Sequence, residues 1–441
     1  MSASRAATLR AIQAASDGLR SELVALLRHG VQIPSVNPAR PGGSGEGDFQ
    51  AFVAAELEAL GARIEVWEPD GPSLSARYGD TLQSSTRDFR GRPNVVGVLG
   101  PAGADPRAVR LILNSHADTV AADANRWRHD PFAATIEDGW LYGLGAADAK
   151  GSLLSYLGAL KVLREAGVQL RQPVALTSVV DEEAGGGGTL ACIERGYRAA
   201  GALVGEPTAL AVCPGSRGAF GLALTVEGKG AHLGVAYEGV NAIDLAGRYI
   251  AAFHELGGAL DREYRHPLWR SLPAGHVFSV TQIQSRPAPG SVPSQCEVHF
   301  SAGYLAGESR SDLVARVESA FARVTRDDPW LREHSPALAL TSPFIEAAAA
   351  PGDHPLVADL VNAAADLGLP APAVHALSAG TDGRFLTNEG GTPAINFGPG
   401  QMARGHGPDE AIELAEYQRA IVWVAVAVAR FCGVAGEGEG S

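Results

Sequence analysis

The chain has 441 residues, 46% apolar and 19% charged, the balance of a globular protein of two or three domains rather than a disordered one. A net charge of −13 with no block of Lys or Arg leaves no basic face for phosphates, which excludes a nucleic-acid role. Cys192, Cys213, Cys296 and Cys432 lie far apart with no CxxC pair, so they read as free buried thiols in a reducing cytoplasm, not as disulfides or a cysteine metal site.

In chain order, the first twenty residues scatter Arg and Ser through an amphipathic pattern. They lack the unbroken apolar core of a secretory signal and predict a first helix. Residues 71–92 are polar and aperiodic and read as a long surface excursion. Residues 94–99, 109–114 and 174–180 are strand candidates rich in β-branched side chains, and 153–166 carries helical periodicity between the last two. Strands separated by helices predict an α/β layer with a buried, partly parallel sheet.

From Gly218 the texture changes. Strands over 219–227, 277–284, 296–304 and 337–340 alternate with helices over 241–254 and 311–325, the β-α-β-β-α-β order of a ferredoxin-like unit. After Phe344 the α/β texture returns, with a helix from His354 and an apolar run over 393–397. The apolar segment 421–429 is far too short to span a bilayer and predicts a buried helix, so no membrane role follows. The Gly/Glu-rich tail 433–441 reads as frayed. The expectation is a larger discontinuous domain, 1–215 and 346–441, built on a mixed, mainly parallel sheet flanked by helices, with an inserted ferredoxin-like unit at 216–345.

The acidic and histidine residues fall at the ends of strand candidates, where open α/β sheets form their sites. His116 and Asp118 are two apart, so on extended chain they point the same way. Asp118 then holds one imidazole nitrogen and leaves the other for a metal, against the alternative of a satisfied structural histidine. Asp148 follows the small-residue turn Gly143 to Ala147 and opens a helix, either as its cap or as a carboxylate bridging two metals. Asp181-Glu182-Glu183 places three acids at a strand end, which repel one another unless cations neutralise them. The alternative is a solvated acidic turn. On extended chain Glu182 and Glu183 face opposite sides, so one binds metal and the other faces water. Glu206 and His406 each sit in a Gly/Pro-rich turn after an apolar segment. Two histidines and three carboxylates suit two borderline divalent cations. HExxH, GxSxG, Walker A and GxGxxG signatures are absent.

With these motifs in this order, the chain resembles the metallopeptidase and deacylase family that includes acetylornithine deacetylase, succinyl-diaminopimelate desuccinylase, aminoacylase and glutamate carboxypeptidase. The resemblance runs from Ile33-Pro-Ser-Val-Asn37 to Phe397-Gly-Pro-Gly400 and Gly405-His-Gly-Pro-Asp-Glu410, with Asp130-Pro-Phe132, Asp138-Gly and Leu141-Tyr-Gly143 between. It implies His116 and Glu206 at one metal, Glu183 and His406 at the other, Asp148 bridging, Asp118 orienting His116, and Glu182 as general base and acid. Gly230-Ala-His232 resembles a segment whose His reaches a partner subunit's active site, which implies a homodimer formed through the inserted unit.

Glu206, rather than Asp, tilts the reading toward deacylation. Relatives often carry an Asn before the Val-Pro of 290–293 and an Arg soon after the start of the next strand. Here 300–307 holds no Arg, so Arg217 and Arg384 become candidates for a substrate carboxylate, each against a structural salt bridge, with Asn241 and Gly380 completing the substrate-binding set. The implied activity is hydrolysis of an amide in a small N-acylated amino acid, with two divalent cations, zinc ahead of cobalt or manganese. An exopeptidase of dipeptidase or carboxypeptidase type shares that chemistry, and a catalytically dead scaffold is the non-enzyme alternative.

Overall fold

Every residue of the strand Val174–Val179 is buried, the mark of a central strand covered on both faces. The computed structural model describes residues 3–79, 88–101, 103, 105–286, 289–341 and 345–436. The chain divides into two units. The first is Met1–Ser216, Ala349–Leu377 and Thr381–Ser441, and the second is Arg217–Ala348 with Ser378–Gly380.

The first unit holds a six-stranded sheet in the order Arg63–Trp67, Asn94–Leu99, Val174–Val179, Ala108–His116, Arg198–Val204, Ala394–Asn396. The first two junctions are antiparallel and the other three parallel, so the sheet is mixed and mainly parallel. The register sets His116 opposite Val179 and Asn114 opposite both Thr177 and Val204. Three parallel strands therefore end at one edge, and the chain leaving each end carries the acidic and histidine residues.

Lys150–Glu165 and Leu414–Cys432 share a core with that sheet, through Leu153, Leu157, Ile421, Val424 and Val428 with Leu111 and Leu113. The second of these helices is rich in β-branched residues. It is helical because its apolar residues are buried on every face, Trp423 to Ala429 without a break, and that burial overrides a modest intrinsic preference. The predicted buried helix over 421–429 is its central part. No helix among the described residues is long and apolar enough to cross a membrane.

Two expectations are corrected. The described residues of 71–92, namely 71–79 and 88–92, are not a surface excursion. Gly71–Tyr78 is a helix capped by Asp70, which accepts from the Ser73 N–H, and Leu74, Tyr78, Phe89 and Arg92 are buried. One buried pair four residues apart fills a single stripe, too short a pattern for periodicity to reveal. Residues 80–87 of that stretch lie outside the described residues. The tail is anchored where it begins: Arg171 N–H donates to the Gly433 carbonyl, Ala435 N–H to Gln169, and Val434 is buried. Most of this pairing runs through the backbone, with Arg171 Nη2 donating to the Val434 carbonyl at 3.4 Å, so a Gly-rich composition hides it; 437–441 lie outside the described residues.

The second unit is a four-stranded antiparallel sheet in the order Val277–Gln284, Gln295–Tyr304, Gly218–Glu227, Ala337–Leu340. The helices Ala242–Glu263 and Arg310–Asp327 share its core of Phe220, Leu224, Phe253, Val298, Phe300 and Phe321. This is the expected β-α-β-β-α-β order.

Candidate metal centre

Two groups of ligand atoms, each mutually within 4.8 Å, come together at the strand ends of the first unit: His116, Asp148 and Glu206, and Asp148, Glu183 and His406. Asp148 belongs to both. Its Oδ1 is 3.2 Å from His116 Nε2 and its Oδ2 is 3.4 Å from His406 Nε2, while Glu183 Oε1 is 2.9 Å from the same His406 nitrogen. Two ligands each about 2.1 Å from one cation end up roughly 3.0–3.5 Å apart. The spacing and the mixed N/O donor set therefore fit a pair of divalent cations sharing one carboxylate.

Each ligand is placed by the end of an element. His116 closes its strand, Glu206 follows Val204 by two residues, and Glu183 lies in the turn after Val174–Val179. Asp148 precedes the helix Lys150–Glu165 across a cis peptide to Ala149. It does not cap that helix, because the cap position is Ala149 and makes no side-chain hydrogen bond. Glu182 and Glu183 are not on extended chain either. Asp181 takes φ 74 and Glu182–Ala184 form a single 3-10 turn, which separates the two carboxylates.

Asp118 differs from expectation in its partner. His116 Nδ1 meets the backbone carbonyl of Asp118 at 2.9 Å, whereas the nearest Asp118 carboxylate oxygen is 3.7 Å away. That carboxylate instead accepts the Glu182 and Glu183 N–H groups, each at 3.1 Å, and Asn37 Nδ2 at 2.7 Å. The turn's first N–H groups have no partner within the turn, and a fixed carboxylate beside them is their natural acceptor.

Electrostatics show why cations belong here. Burial raises the carboxyls of Glu206, Glu183 and Glu182, the last to about 8, with Asp382's negative charge adding to it. Burial also pushes Asp148 upward, but hydrogen bonds from His116 and His406 outweigh it and hold Asp148 below the usual carboxylate range. Hydrogen bonds to Asp148 and Glu183 raise His406 to about 11. Burial opposes protonation of His116, yet its hydrogen bond to Asp148 and the charges of Glu182, Asp118 and Glu206 raise it strongly. The protein alone can neutralise this cluster only by taking up protons, whereas divalent cations supply the charge directly.

Several supporting residues have no signal in residue type and spacing alone. Glu410 Oε1 accepts the Ala147 and Asp148 N–H groups at 2.9 and 3.0 Å and so fixes the loop carrying the shared carboxylate. Arg92 bonds both oxygens of Glu46 at 2.7 Å and reaches Asp181 Oδ1 at 3.2 Å, beneath the Glu182–Ala184 turn. Thr189 donates to Asp382 Oδ2 at 2.6 Å. The motifs Ile33–Asn37 and Gly405–Glu410 contained Asn37 and Glu410, but roles that run through backbone amides need the fold to be seen.

Among the substrate-binding candidates, Arg384 lies in the first unit, 4% exposed. The others lie in the second unit. Arg217 Nη2 donates to the Ala274 carbonyl at 3.0 Å, and Asn241 Oδ1 caps its helix by accepting from Ile243 N–H. A Cβ at Gly380 would meet Ile345 Cγ2 at 2.3 Å, so packing alone demands glycine there. His232 is exposed, with Nδ1 accepting from Gly234 N–H.

Comparison with known proteins gives a consistent result. Residues 112–430 match the family described as peptidase family M20/M25/M40. The N-formyl-4-amino-5-aminomethyl-2-methylpyrimidine deformylase of Bacillus subtilis is 27% identical over 91% of this chain and 93% of its own. The acetylornithine deacetylase of Proteus mirabilis is 29% identical over 83% of this chain and 91% of its own. In three dimensions, an M20 family metallo-carboxypeptidase from Sulfolobus solfataricus superposes with a TM-score of 0.68 at 16% identity, covering 93% of this chain and 99% of that one.

Proposed function

This chain belongs to peptidase family M20/M25/M40, and from that premise we propose that it is a two-cation deacylase that removes an acyl group from the nitrogen of a small, amino-acid-like compound. The observation that carries the reading is the pair of ligand triads sharing Asp148. Metal-dependent amide hydrolysis fits the family and the donor set. The preference for deacylation is supported by the deformylase and the deacetylase, which match over nearly the same length.

Two divalent cations, when bound, supply Lewis acidity at the scissile carbonyl and bring the pKa of a water toward about 7. His116 and Glu206 would hold one, Glu183 and His406 the other, with Asp148 shared between them; zinc is the proposed metal, with cobalt and manganese suited to the same ligands. Glu182 accepts a proton from the attacking water and returns it to the departing amine. Burial raises this carboxyl and cations beside it would lower it again, a balance that suits one group to both transfers. Asp118 and Glu410 hold the two loops that present these groups.

The finer reading makes the first unit catalytic and the second a dimerisation module. The edge strand Val277–Gln284, with Val277 and Ile283 exposed, supports pairing of two chains. In such a homodimer His232 serves the partner's site as a donor to the developing oxyanion, a role worth about 3–4 kcal/mol for one well-placed group. Four buried, unpaired cysteines support a cytoplasmic setting.

The test is turnover of N-formyl, N-acetyl and N-succinyl amino acids beside free dipeptides, with purified protein loaded with zinc. Faster hydrolysis of the acylated compounds is the expected result. Faster cleavage of dipeptides replaces the reading with an exopeptidase, and inactivity on all with cations bound replaces it with a binding protein.

A further inference from the structure

Glu183 is held at both ends of its backbone. Its N–H donates to Asp118 Oδ2 at 3.1 Å, and its carbonyl accepts from Arg40 Nη2 at 2.7 Å, a short, charge-assisted bond. With both flanking peptide groups tied, the direction in which its side chain leaves the turn is set by the protein. Glu182 differs. Its N–H also meets Asp118, through Oδ1, but its carbonyl accepts from the Gly185 N–H within the turn itself. Arg40 therefore acts on Glu183 and not on its neighbour.

Arg40 comes from a segment that carries no ligand. Ser35, Val36 and Asn37 are buried, and they run parallel to the chain that leaves the His116 strand. Asn37 N–H donates to the Thr119 carbonyl and Thr119 N–H to that of Ser35, each at 3.0 Å. Asn37 then closes a turn: its carbonyl accepts the Arg40 N–H and its Oδ1 the Ala39 N–H, each at 2.9 Å. The same Asn37 donates from Nδ2 to Asp118 Oδ2 at 2.7 Å, so both holders of Glu183 are placed from one residue. Arg40 itself lies on the exposed rim of that turn and reaches back with its guanidinium.

We propose that Arg40 is a positioning residue for Glu183, and so sets how tightly the Asp148–Glu183–His406 triad holds its cation without acting on the His116–Asp148–Glu206 triad. The two triads differ in what else fixes them. His116 and Glu206 are 2% and 4% exposed, packed on every side. The His406 side chain is 53% exposed, so on that side the unshared ligand that the fold holds rigidly is Glu183. A ligand aimed through its own peptide groups loses that aim when one of them is released, whereas ligands fixed by burial do not. This inference rests on the two-cation reading of the centre.

Zinc affinity is measured by chelator competition on the native protein, Arg40→Met, His406→Ala and the Arg40→Met/His406→Ala double variant. The native protein should bind two cations, and Arg40→Met should weaken one of them about tenfold or more and leave the other unchanged. In His406→Ala, where the His116–Asp148–Glu206 triad is intact, adding Arg40→Met should move the affinity of the remaining cation by less than about twofold. The metal-free Arg40→Met protein should unfold at the native denaturant midpoint, because the residue is exposed. The proposal is overturned if Arg40→Met binds both cations as tightly as the native protein, if it weakens both alike, if it still weakens the remaining cation in the His406→Ala background, or if the metal-free variant unfolds earlier, as an arginine that merely stabilised the turn would make it. Any of these with two cations on the native protein leaves the two-cation reading standing. A native protein that binds a single cation overturns that reading and this inference with it.

Discussion

Asp148 divides its carboxylate between two imidazoles, with Oδ1 3.2 Å from His116 Nε2 and Oδ2 3.4 Å from His406 Nε2. The two histidines come from sequence positions nearly three hundred residues apart, and one carboxylate fixes their separation. Losing either oxygen's charge therefore weakens both halves of the centre together.

Glu182→Gln should keep both cations and lower kcat by about 10²–10⁴-fold, the range for removing one positioned acid–base group. In the native enzyme kcat/KM should fall as the pH drops through the Glu182 pKa, because the group must be ionised to accept a proton. That limb lies below pH 8, since cations beside a carboxyl already at about 8 lower it further. A pH–rate profile that keeps this limb in the Gln variant contradicts the assignment.

Glu410→Ala removes the acceptor for the Ala147 and Asp148 N–H groups. Metal affinity should fall about 10–100-fold, measured by competition with a chelator. Glu410→Gln retains a carbonyl acceptor and should lie between the native protein and the Ala variant.

Arg92→Leu leaves Glu46 buried without the partner that bonds both its oxygens, at a cost of about 3–5 kcal/mol at pH 8. Burial already raises Glu46 to about 7 against Arg92's opposing influence, so its pKa in the folded variant rises further. The folded variant then binds this proton more tightly than the unfolded chain does, and the deficit should shrink as pH falls from 8 to 5.5. Denaturant titrations at the two pH values check the sign; a deficit that grows toward acid refutes it.

Gly186 has φ +80, and a Cβ there would meet Asp382 and Phe385 at 2.3 Å. Gly186→Ala should destabilise the protein by at least about 2 kcal/mol through backbone strain and overpacking. It should also lower kcat, because the turn carrying Glu182 is displaced. Unfolding unchanged within error would contradict this account of the glycine turn.

Four of the five candidate ligands were legible because each follows an apolar strand or precedes a helix, and a parallel sheet brings such ends to one edge; His406, in a turn after a short 3-10 helix, was legible only through its Gly/Pro-rich motif. The pairing of Asp118 was not, because whether its carboxylate meets an imidazole or a turn's N–H groups depends on a left-handed Asp181 that no residue pattern announces. Glu410, Arg92 and Glu46 were hidden for a related reason: they act through backbone amides or one another across long sequence gaps. The helix Gly71–Tyr78 escaped notice because two buried side chains make no visible period.

The central claim is tested most directly by metal stoichiometry, measured by mass spectrometry of the native protein and of Asp148→Asn. Two divalent cations per native chain, both lost in the variant together with at least about a hundredfold of activity, is the predicted result. A single cation in the native protein, or hydrolysis that persists after chelation, would contradict it.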